Sequence, residues 1–421
     1  MRATKILAGA IQVATEASVF KARDIRGVYG PELNEASFRK LGGVLQPEEL
    51  ALGSDYREHS DSLSMAVREG YHGRLRFLGH APTPMVCYLS RIMGIAITAS
   101  HLPADQNGAK LFKEQRVFLK EELEALRSAY EKSTTDYVST KASALELEEN
   151  LRLEYLSRIP HIEHGIFDLA GGAACSIKEI FPKVIYETPD PLFSEHGPEP
   201  NHGTLTDLEK RTKMDGKVGF AFDGDADRCV LVVDGKVMRG DFVAAFVAKR
   251  FLGKGDTIVF TCDCSREVDQ YCNDLGIRTV YAPVGQPDLI KTAMANNASL
   301  TAEPFSGHFA FTDFMLYCDA IYFAAKISAF KPSEFLEFQS QFKHVLRTFS
   351  LLGRRSTKRL EDEMGREVDE PMIRIDGVKI LGPDYGVHVR PSKTEPVTRI
   401  TIEAIDSGAL KRLTKKVKEL L

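Results

Sequence analysis

VGFAFDGDADRCVLVV (Val218–Val233) sets three carboxylates, Asp223, Asp225 and Asp227, between two apolar runs. Val218–Phe222 and Cys229–Val233 read as buried strands, so the acidic segment is a loop held at both ends by a core. Side chains at i, i+2 and i+4 of an extended segment point one way. Gly224 lets the backbone bend while that convergence is kept. Like charges this close repel unless a cation joins them. Three oxygens with coordination positions left open suit a hard dication, Mg²⁺, which takes its other ligands from phosphate or water. An EF-hand Ca²⁺ loop fits less well: counted from Asp223, its twelfth position is Asp234, after a hydrophobic strand. The plain alternative is a solvated acidic turn, and the apolar flanks argue against it.

A dication with open positions calls for an oxyanion. ITASHLPADQNGAK (Ile97–Lys110) follows a predicted strand (Gly94–Thr98) with a polar loop holding Ser100, His101 and, further on, Lys110. A G-x-S-x-G elbow is absent, which disfavours acyl transfer. A phosphoryl group on Ser100 would give the acidic loop a purpose. Mg²⁺ would then bridge Ser100 to the three aspartates and neutralise charge during transfer, with His101 or Lys110 as acid, base or charge stabiliser. A serine that merely caps a helix is the competing reading. AEPFSGHFAF (Ala302–Phe311) groups Glu303, Ser306 and His308, a set suited to sugar hydroxyls, although taken alone the stretch reads better as a plain loop. RPSKTEPVTR (Arg390–Arg399) offers Arg390, Ser392, Lys393 and Thr394, a turn able to grip phosphate. FKARDIRG (Phe20–Gly27) adds Arg23 and Arg26, and GSDYREHS (Gly53–Ser60) adds Asp55 and Arg57; each pair is also compatible with a salt-bridged turn.

The chain of 421 residues exceeds one ordinary core, and its composition is that of a globular protein. A net charge of −4 gives no global attraction to nucleic acid or anionic membranes. No run of apolar residues is long enough to span a bilayer, and the N-terminal stretch is only a faint echo of a signal peptide. Seven scattered cysteines, without a CxxC pair, predict no disulfide framework and a cytoplasmic setting. Cys262 and Cys264 read as half-buried strand residues rather than metal ligands. Helical spacing marks Leu119–Ser133, and the polar stretch Ser133–Ser143 marks a boundary, followed by a charged helix around Ala144–Arg158. Gly165–Ser176 predicts a strand, a glycine turn and a helix. The Asp234–Gly235 pair predicts a hairpin. The C-terminal stretch reads as strands plus a basic amphipathic helix. No close internal repeat is visible.

DIRG, TASH, DGDADR, SGH and RPSKTEP, in this order along nearly the whole chain, resemble the α-D-phosphohexomutase superfamily. The resemblance implies an α/β architecture of four domains: three similar α/β domains and a smaller C-terminal α+β domain. The expected segments are residues 1–138, with the phosphoserine loop, 139–238, with the metal loop, 239–342, with the sugar loop, and 343–421, with the phosphate loop. Ser100 would be the phosphoserine and, with Asp223, Asp225 and Asp227, would hold one Mg²⁺. Arg26, His101, Lys110 and Arg228 would act at the transferring group. Glu303, Ser306 and His308 would bind the sugar. Arg390, Ser392, Lys393 and Thr394 would hold its non-reacting phosphate. The implied reaction interconverts hexose 1- and 6-phosphates, with mannose or glucose expected first, with a hexose 1,6-bisphosphate as intermediate or activator. A monomer or homodimer with a phosphosugar as its partner is expected. Other readings are a phosphoglucosamine mutase, a phosphosugar phosphatase and a non-catalytic phosphosugar-binding relative.

The chain departs from the family pattern at substrate-facing positions. Leu102 stands where the family usually has Asn, Arg23 where it has an aromatic residue, and Pro283 where it often has Lys. Thr301–Ala302 replaces a usual glycine pair, and Glu303–His308 is one residue longer than the usual E-x-S-G-H.

Overall fold

The computed structural model describes residues 19–45, 47–134, 147–368, 372–392 and 396–421. Four sheets succeed one another along these residues. The first orders its strands Ile25–Val28, Gln106–Lys113, Met93–Ile97, Glu49–Ser54 and Arg74–His80, with Arg116–Val117 beside Gln106–Lys113. Leu50, Leu52, Ile95 and Ile97 pack on helices Glu35–Val44 and Ser60–Gly70, while Ala51, Ala96 and Phe112 face helix Thr83–Leu89. Strands covered on both faces read as near-continuous apolar runs, as these do.

The first three sheets share one arrangement. In each, a central strand lies parallel to two neighbours, and the second neighbour turns back into an antiparallel strand. Glu49–Ser54 is central in the first sheet, Ile166–Asp168 in the second and Thr257–Thr261 in the third. The returning pairs are Met93–Ile97 with Gln106–Lys113, Val218–Phe222 with Cys229–Val233, and Leu300–Glu303 with His308–Phe311. The serine, aspartate and sugar loops therefore occupy the same connection in three copies of one topology. Functional side chains at the carboxyl ends of parallel strands are the rule in open α/β sheets.

Local chemistry explains the elements. Helix Lys120–Lys132 turns Leu123, Leu126 and Tyr130 inward, and Glu122 accepts the Leu119 N–H at 2.8 Å. Asp234 and Gly235 adopt φ of 50° and 71°, the pair of left-handed residues a two-residue hairpin needs. The helix expected after the glycine turn of Gly165–Ser176 is a 3₁₀ helix, Ala173–Ile180, kinked at Ile177. It stays tight because Ala173 donates to Gly224 O across the aspartate loop. Cys262 and Cys264 lie just past their strand and are fully buried rather than half-buried. The charged helix begins at Glu149; residues 135–146 lie outside the described residues, as does the N-terminal stretch 1–18.

The fourth sheet is antiparallel, ordered Val345–Leu352, Val397–Ala404, Tyr385–Pro391 and Val378–Gly382. Val378, Ile380, Val387, Val389, Ile400 and Ile402 face helices Lys358–Met364 and Ser407–Leu420. The alternate residues Lys379, His388 and Glu403 are polar yet buried, because they dock on the third unit. Lys379 Nζ donates to Cys264 O at 2.6 Å and lies over the Tyr281 ring; Glu403 Oε1 accepts the Arg266 N–H at 2.7 Å. His388 Nε2 lies 3.4 Å from Cys262 Sγ.

Burial, with Lys379 and Arg390 nearby, pushes the His388 imidazole down to about 3. Below its ordinary value of about 6.5 the unfolded chain takes up a proton there that the folded chain refuses. Stability then falls as pH drops, by up to about 2 kcal/mol between pH 6.5 and 5. Urea midpoints at pH 7 and pH 5 should therefore diverge less in His388→Gln than in the natural protein; equal divergence would contradict this origin.

Candidate active site

The serine loop leaves strand Met93–Ile97 and is shaped by one buried arginine. Arg57, with a side chain fully buried against Asp55, donates to the carbonyls of Ser100 (2.9 Å), Leu102 (2.7 Å), Pro103 (2.5 Å) and Gln106 (3.1 Å). Asp55 is held in turn by Ser60 and Thr98. The Asp55–Arg57 pair is thus the salt-bridged turn that one reading of the sequence allowed, and it dictates the loop's path. Ser100 sits at φ 53°, and its N–H donates to Thr98 Oγ1 at 2.8 Å. A left-handed serine is uncommon and clusters where structure over-determines a functional side chain. Here it turns Ser100 Oγ to within 2.7 Å of Asp223 Oδ2, 123 residues away.

Asp223, Asp225 and Asp227 converge as the alternation demands: each offers a carboxylate oxygen within 4.8 Å of the others, and all three are fully buried. The loop presses so close to the serine loop that a Cβ on Gly224 would lie 2.5 Å from Ser100 O. Several oxygens are already committed. Asp225 Oδ2 accepts from Thr83 Oγ1 (2.6 Å) and Lys110 Nζ (2.6 Å). Asp227 Oδ2 accepts from Lys110 Nζ (2.7 Å), Gln286 Nε2 (2.9 Å) and Tyr317 OH (2.5 Å). Asp225 Oδ1 is buried without a hydrogen bond, and Asp227 Oδ1 faces only His308 Nε2, at 3.4 Å. Hard oxygens on converging carboxylates fit Mg²⁺. Asp223, Asp225 and Asp227, with Ser100 beside them, are the residues that would hold it.

The electrostatics arise from crowding. Burial and the two neighbouring carboxylates push Asp223 well above the usual carboxylate range. Burial also opposes the Asp227 charge, but Lys110, His308 and Arg228 outweigh it and hold Asp227 well below that range. Lys110 is buried, yet Asp225 and Asp227 keep it charged and raise its value. His101 is driven down to about 2 by burial and by Arg228, Arg26 and Lys110. Arg228 Nη2 donates to His101 Nδ1 at 2.8 Å, which leaves that nitrogen as an acceptor on a neutral ring. Of the two residues expected as acid, base or charge stabiliser, Lys110 is a buried cation paired with Asp225 and Asp227, and His101 is a neutral ring 3.4 Å from Ser100 Oγ.

One cleft gathers most of the expected residues. Arg26, Ser100, His101, Lys110, Arg228, Glu303 and His308 line it. Arg26 pairs with Asp24 at 2.9 Å and keeps Nη1 buried without a partner. The extra residue of the sugar loop is taken up by a 3₁₀ turn, Pro304–Ser306, with Gly307 at φ 77° and Phe305 turned outward. Glu303 accordingly reaches the cleft with Oε2 unpartnered. Its burial disfavours charge, but His308, Arg23 and Arg228 keep it ionised. Ser306 does not line the cleft; its Oγ pairs with His308 Nδ1 at 2.8 Å and with Glu303 O. Arg390 and Ser392 lie at and just past the end of a fourth-sheet strand, outside that cleft, with Arg390 Nη1 3.8 Å from Asp376 Oδ2. Lys393 and Thr394 lie outside the described residues.

Other contributors were hidden in the sequence. Thr83, Gln286 and Tyr317 reach the aspartates from far along the chain and sit in no recognisable motif. Arg23, one of the departures, donates to Val284 O and packs on Gly285 across the cleft mouth.

Two family descriptions match the chain: phosphoglucomutase/phosphomannomutase α/β/α domain I over residues 17–136, and domain III over residues 239–334. A probable phosphoglucosamine mutase of Methanocella arvoryzae is 30% identical, covering 96% of this chain and 98% of that protein. A phosphomannomutase of Methanocaldococcus jannaschii is 27% identical, over 96% and 97%. The solved structure of a phosphoglucomutase/phosphomannomutase family protein from Burkholderia thailandensis superposes with a TM-score of 0.83 at 22% identity, over 97% of each chain. The chain belongs to the phosphoglucomutase/phosphomannomutase family of the α-D-phosphohexomutase superfamily, and is an enzyme of the mutase class.

The contact between the two loops makes Gly224 a sensitive position. Gly224→Ala should force Ser100 and the aspartates apart and lower kcat by about 10²-fold, since an ångström of misplacement costs that much. Steady-state kinetics of a variant that remains folded by circular dichroism would test this.

Proposed function

We propose that this mutase interconverts hexose 1-phosphate and hexose 6-phosphate, with mannose or glucose as the sugar, by relaying a phosphoryl group through Ser100. The observation that carries the reading is Ser100 Oγ held 2.7 Å from Asp223 Oδ2 by a left-handed backbone, at the edge of a cleft facing Glu303. Bound Mg²⁺ would supply Lewis-acid polarisation and charge neutralisation at the phosphoryl oxygens.

The chain's own residues account for the rest. Phosphoryl transfer passes through a loose transition state, so positioning and charge stabilisation count for more than base strength. Lys110 stays protonated because Asp225 and Asp227 hold it so, and serves as a fixed cation. Arg26, with a free buried N–H, and Arg228 flank the same space. Glu303, ionised and with one oxygen unpartnered, would accept bonds from sugar hydroxyls, and His308 would orient beside it. Arg390 and Ser392, with Lys393 and Thr394, would take the non-reacting phosphate. A loop that recognises a phosphate rather than a carbon atom serves either orientation of a hexose 1,6-bisphosphate intermediate. Seven free, buried cysteines agree with a cytoplasmic enzyme. Glucosamine phosphate is the second reading, favoured by the identity to phosphoglucosamine mutases.

Ser100→Ala should lower mutase turnover by at least about three orders of magnitude, and intact-mass spectra should lose any phosphorylated species. Near-normal isomerisation of glucose 1-phosphate in that variant, with trace glucose 1,6-bisphosphate present, would sink the assignment. Asp225→Asn should raise the Mg²⁺ concentration for half-maximal activity at least about tenfold; an unchanged titration counts against the metal site. A panel of mannose, glucose and glucosamine phosphates ranks the substrates by kcat/KM.

A further inference from the structure

A buried ion pair lies outside the cleft, on the far side of the aspartate loop. Asp168 ends the central strand of the second sheet and is fully buried; Oδ1 accepts the Ala170 N–H at 3.0 Å. His196, 5% exposed, brings Nε2 to 3.2 Å from Asp168 Oδ2, an ion-pair contact rather than an aligned hydrogen bond. Its Nδ1 faces Gly197 O at 2.7 Å. A carbonyl only accepts, so Nδ1 carries a proton, and Nε2 needs one as well to face a carboxylate. Burial opposes the imidazolium, but Asp168 outweighs burial and raises its value. None of the chemistry at the cleft uses this pair.

The residues just after His196 do reach the site. Two positions on, Pro198 O accepts the Gly224 N–H at 2.9 Å. Next to it, Glu199 Oε1 lies 3.6 Å from Arg228 Nη1. On the other side, Gly224 O accepts the Ala173 N–H at 2.9 Å, and a Cβ on Gly172 would strike Gly224. The Gly224 peptide lies between Asp223 and Asp225. It is gripped on one side by the turn that leaves Asp168 and on the other by a segment pinned back to Asp168 through His196.

We propose that His196, anchored by Asp168, is a positioning residue: it clamps residues 196–199 against Gly224 and so fixes the spacing of Asp223 and Asp225 for their dication. The proposal rests on reading the aspartate triplet as a metal site. Its residues act through the loop and touch neither sugar nor phosphate. Outer groups that orient metal ligands typically contribute about 10–100-fold to metal affinity.

The test uses the full chain with His196→Gln and Asp168→Asn, and Mn²⁺ as the probe. Free Mn²⁺ is counted by electron paramagnetic resonance during titration. Hydrogen exchange of peptides spanning 222–228 is followed in metal-free protein. Mutase assays give KM for glucose 1-phosphate. Both variants are expected to bind Mn²⁺ at least about tenfold more weakly and to exchange the Gly224 amide faster, with KM within about twofold of the natural protein. Should His196→Gln fail to fold, Asp168→Asn, which keeps the shape and removes the charge, decides. Unchanged Mn²⁺ affinity and unchanged Gly224 exchange in a folded variant overturn the clamp. Natural protein that binds no Mn²⁺ overturns the metal reading, separately from the exchange result.

Discussion

Three fully buried carboxylates within 4.8 Å of one another are the constraint on which the rest of the molecule depends. Ionised groups in a low-dielectric interior are tolerated only when paired and hydrogen-bonded. Lys110 from the first unit, Gln286 and Tyr317 from the third, and Thr83 from the first converge on two of the three aspartates. Each donor crosses a boundary between units. The acidic loop is therefore a site and also the point where three units are fastened together.

The fastening is possible because the units share a topology. Each presents the turn between its second parallel strand and the returning antiparallel strand. The first unit puts a serine there, the second a set of aspartates, the third a glutamate and a histidine. A fixed scaffold thus brings a serine, three aspartates and a glutamate with a histidine together around one cleft by changing loop chemistry alone. The fourth unit differs in kind. Its sheet buries an apolar face on its own helices and offers Lys379, His388 and Glu403 to the third unit. A polar interface of that sort is what a separable unit presents, in contrast to the shared apolar core that joins the first three units.

Sequence departures gain meaning from this geometry. The extra residue in the sugar loop does not displace Glu303, because Pro304–Ser306 coils into a 3₁₀ turn and sends Phe305 outward. Leu102 contributes its carbonyl to Arg57, a role blind to side-chain identity. Arg23 places a cation at the cleft mouth and favours the charged form of Glu303, a change in the electrostatics of the cleft.

The aspartate loop, the strands around it and the succession of loop motifs were legible in the sequence, because alternation and turn chemistry act over a few residues. The same holds for the Asp234–Gly235 hairpin and for helix Lys120–Lys132. Arg57 was visible only as one half of a short-range pair, although four carbonyls of the serine loop depend on it. Thr83, Gln286, Tyr317 and the Asp168–His196 pair carry no local signal, since their partners stand far off along the chain. The threefold topology was legible only through the family resemblance, which implied three similar α/β domains, and not from local pattern: hydrogen-bonded strand order constrains backbones, not residue identities, so three unlike sequences adopt it without resembling one another. Local periodicity thus determined which segments form strands and which loops carry chemistry. Only the packed tertiary structure decided which distant side chains satisfy the buried charges, because desolvation makes every uncompensated carboxylate costly and selects its partners by position in space.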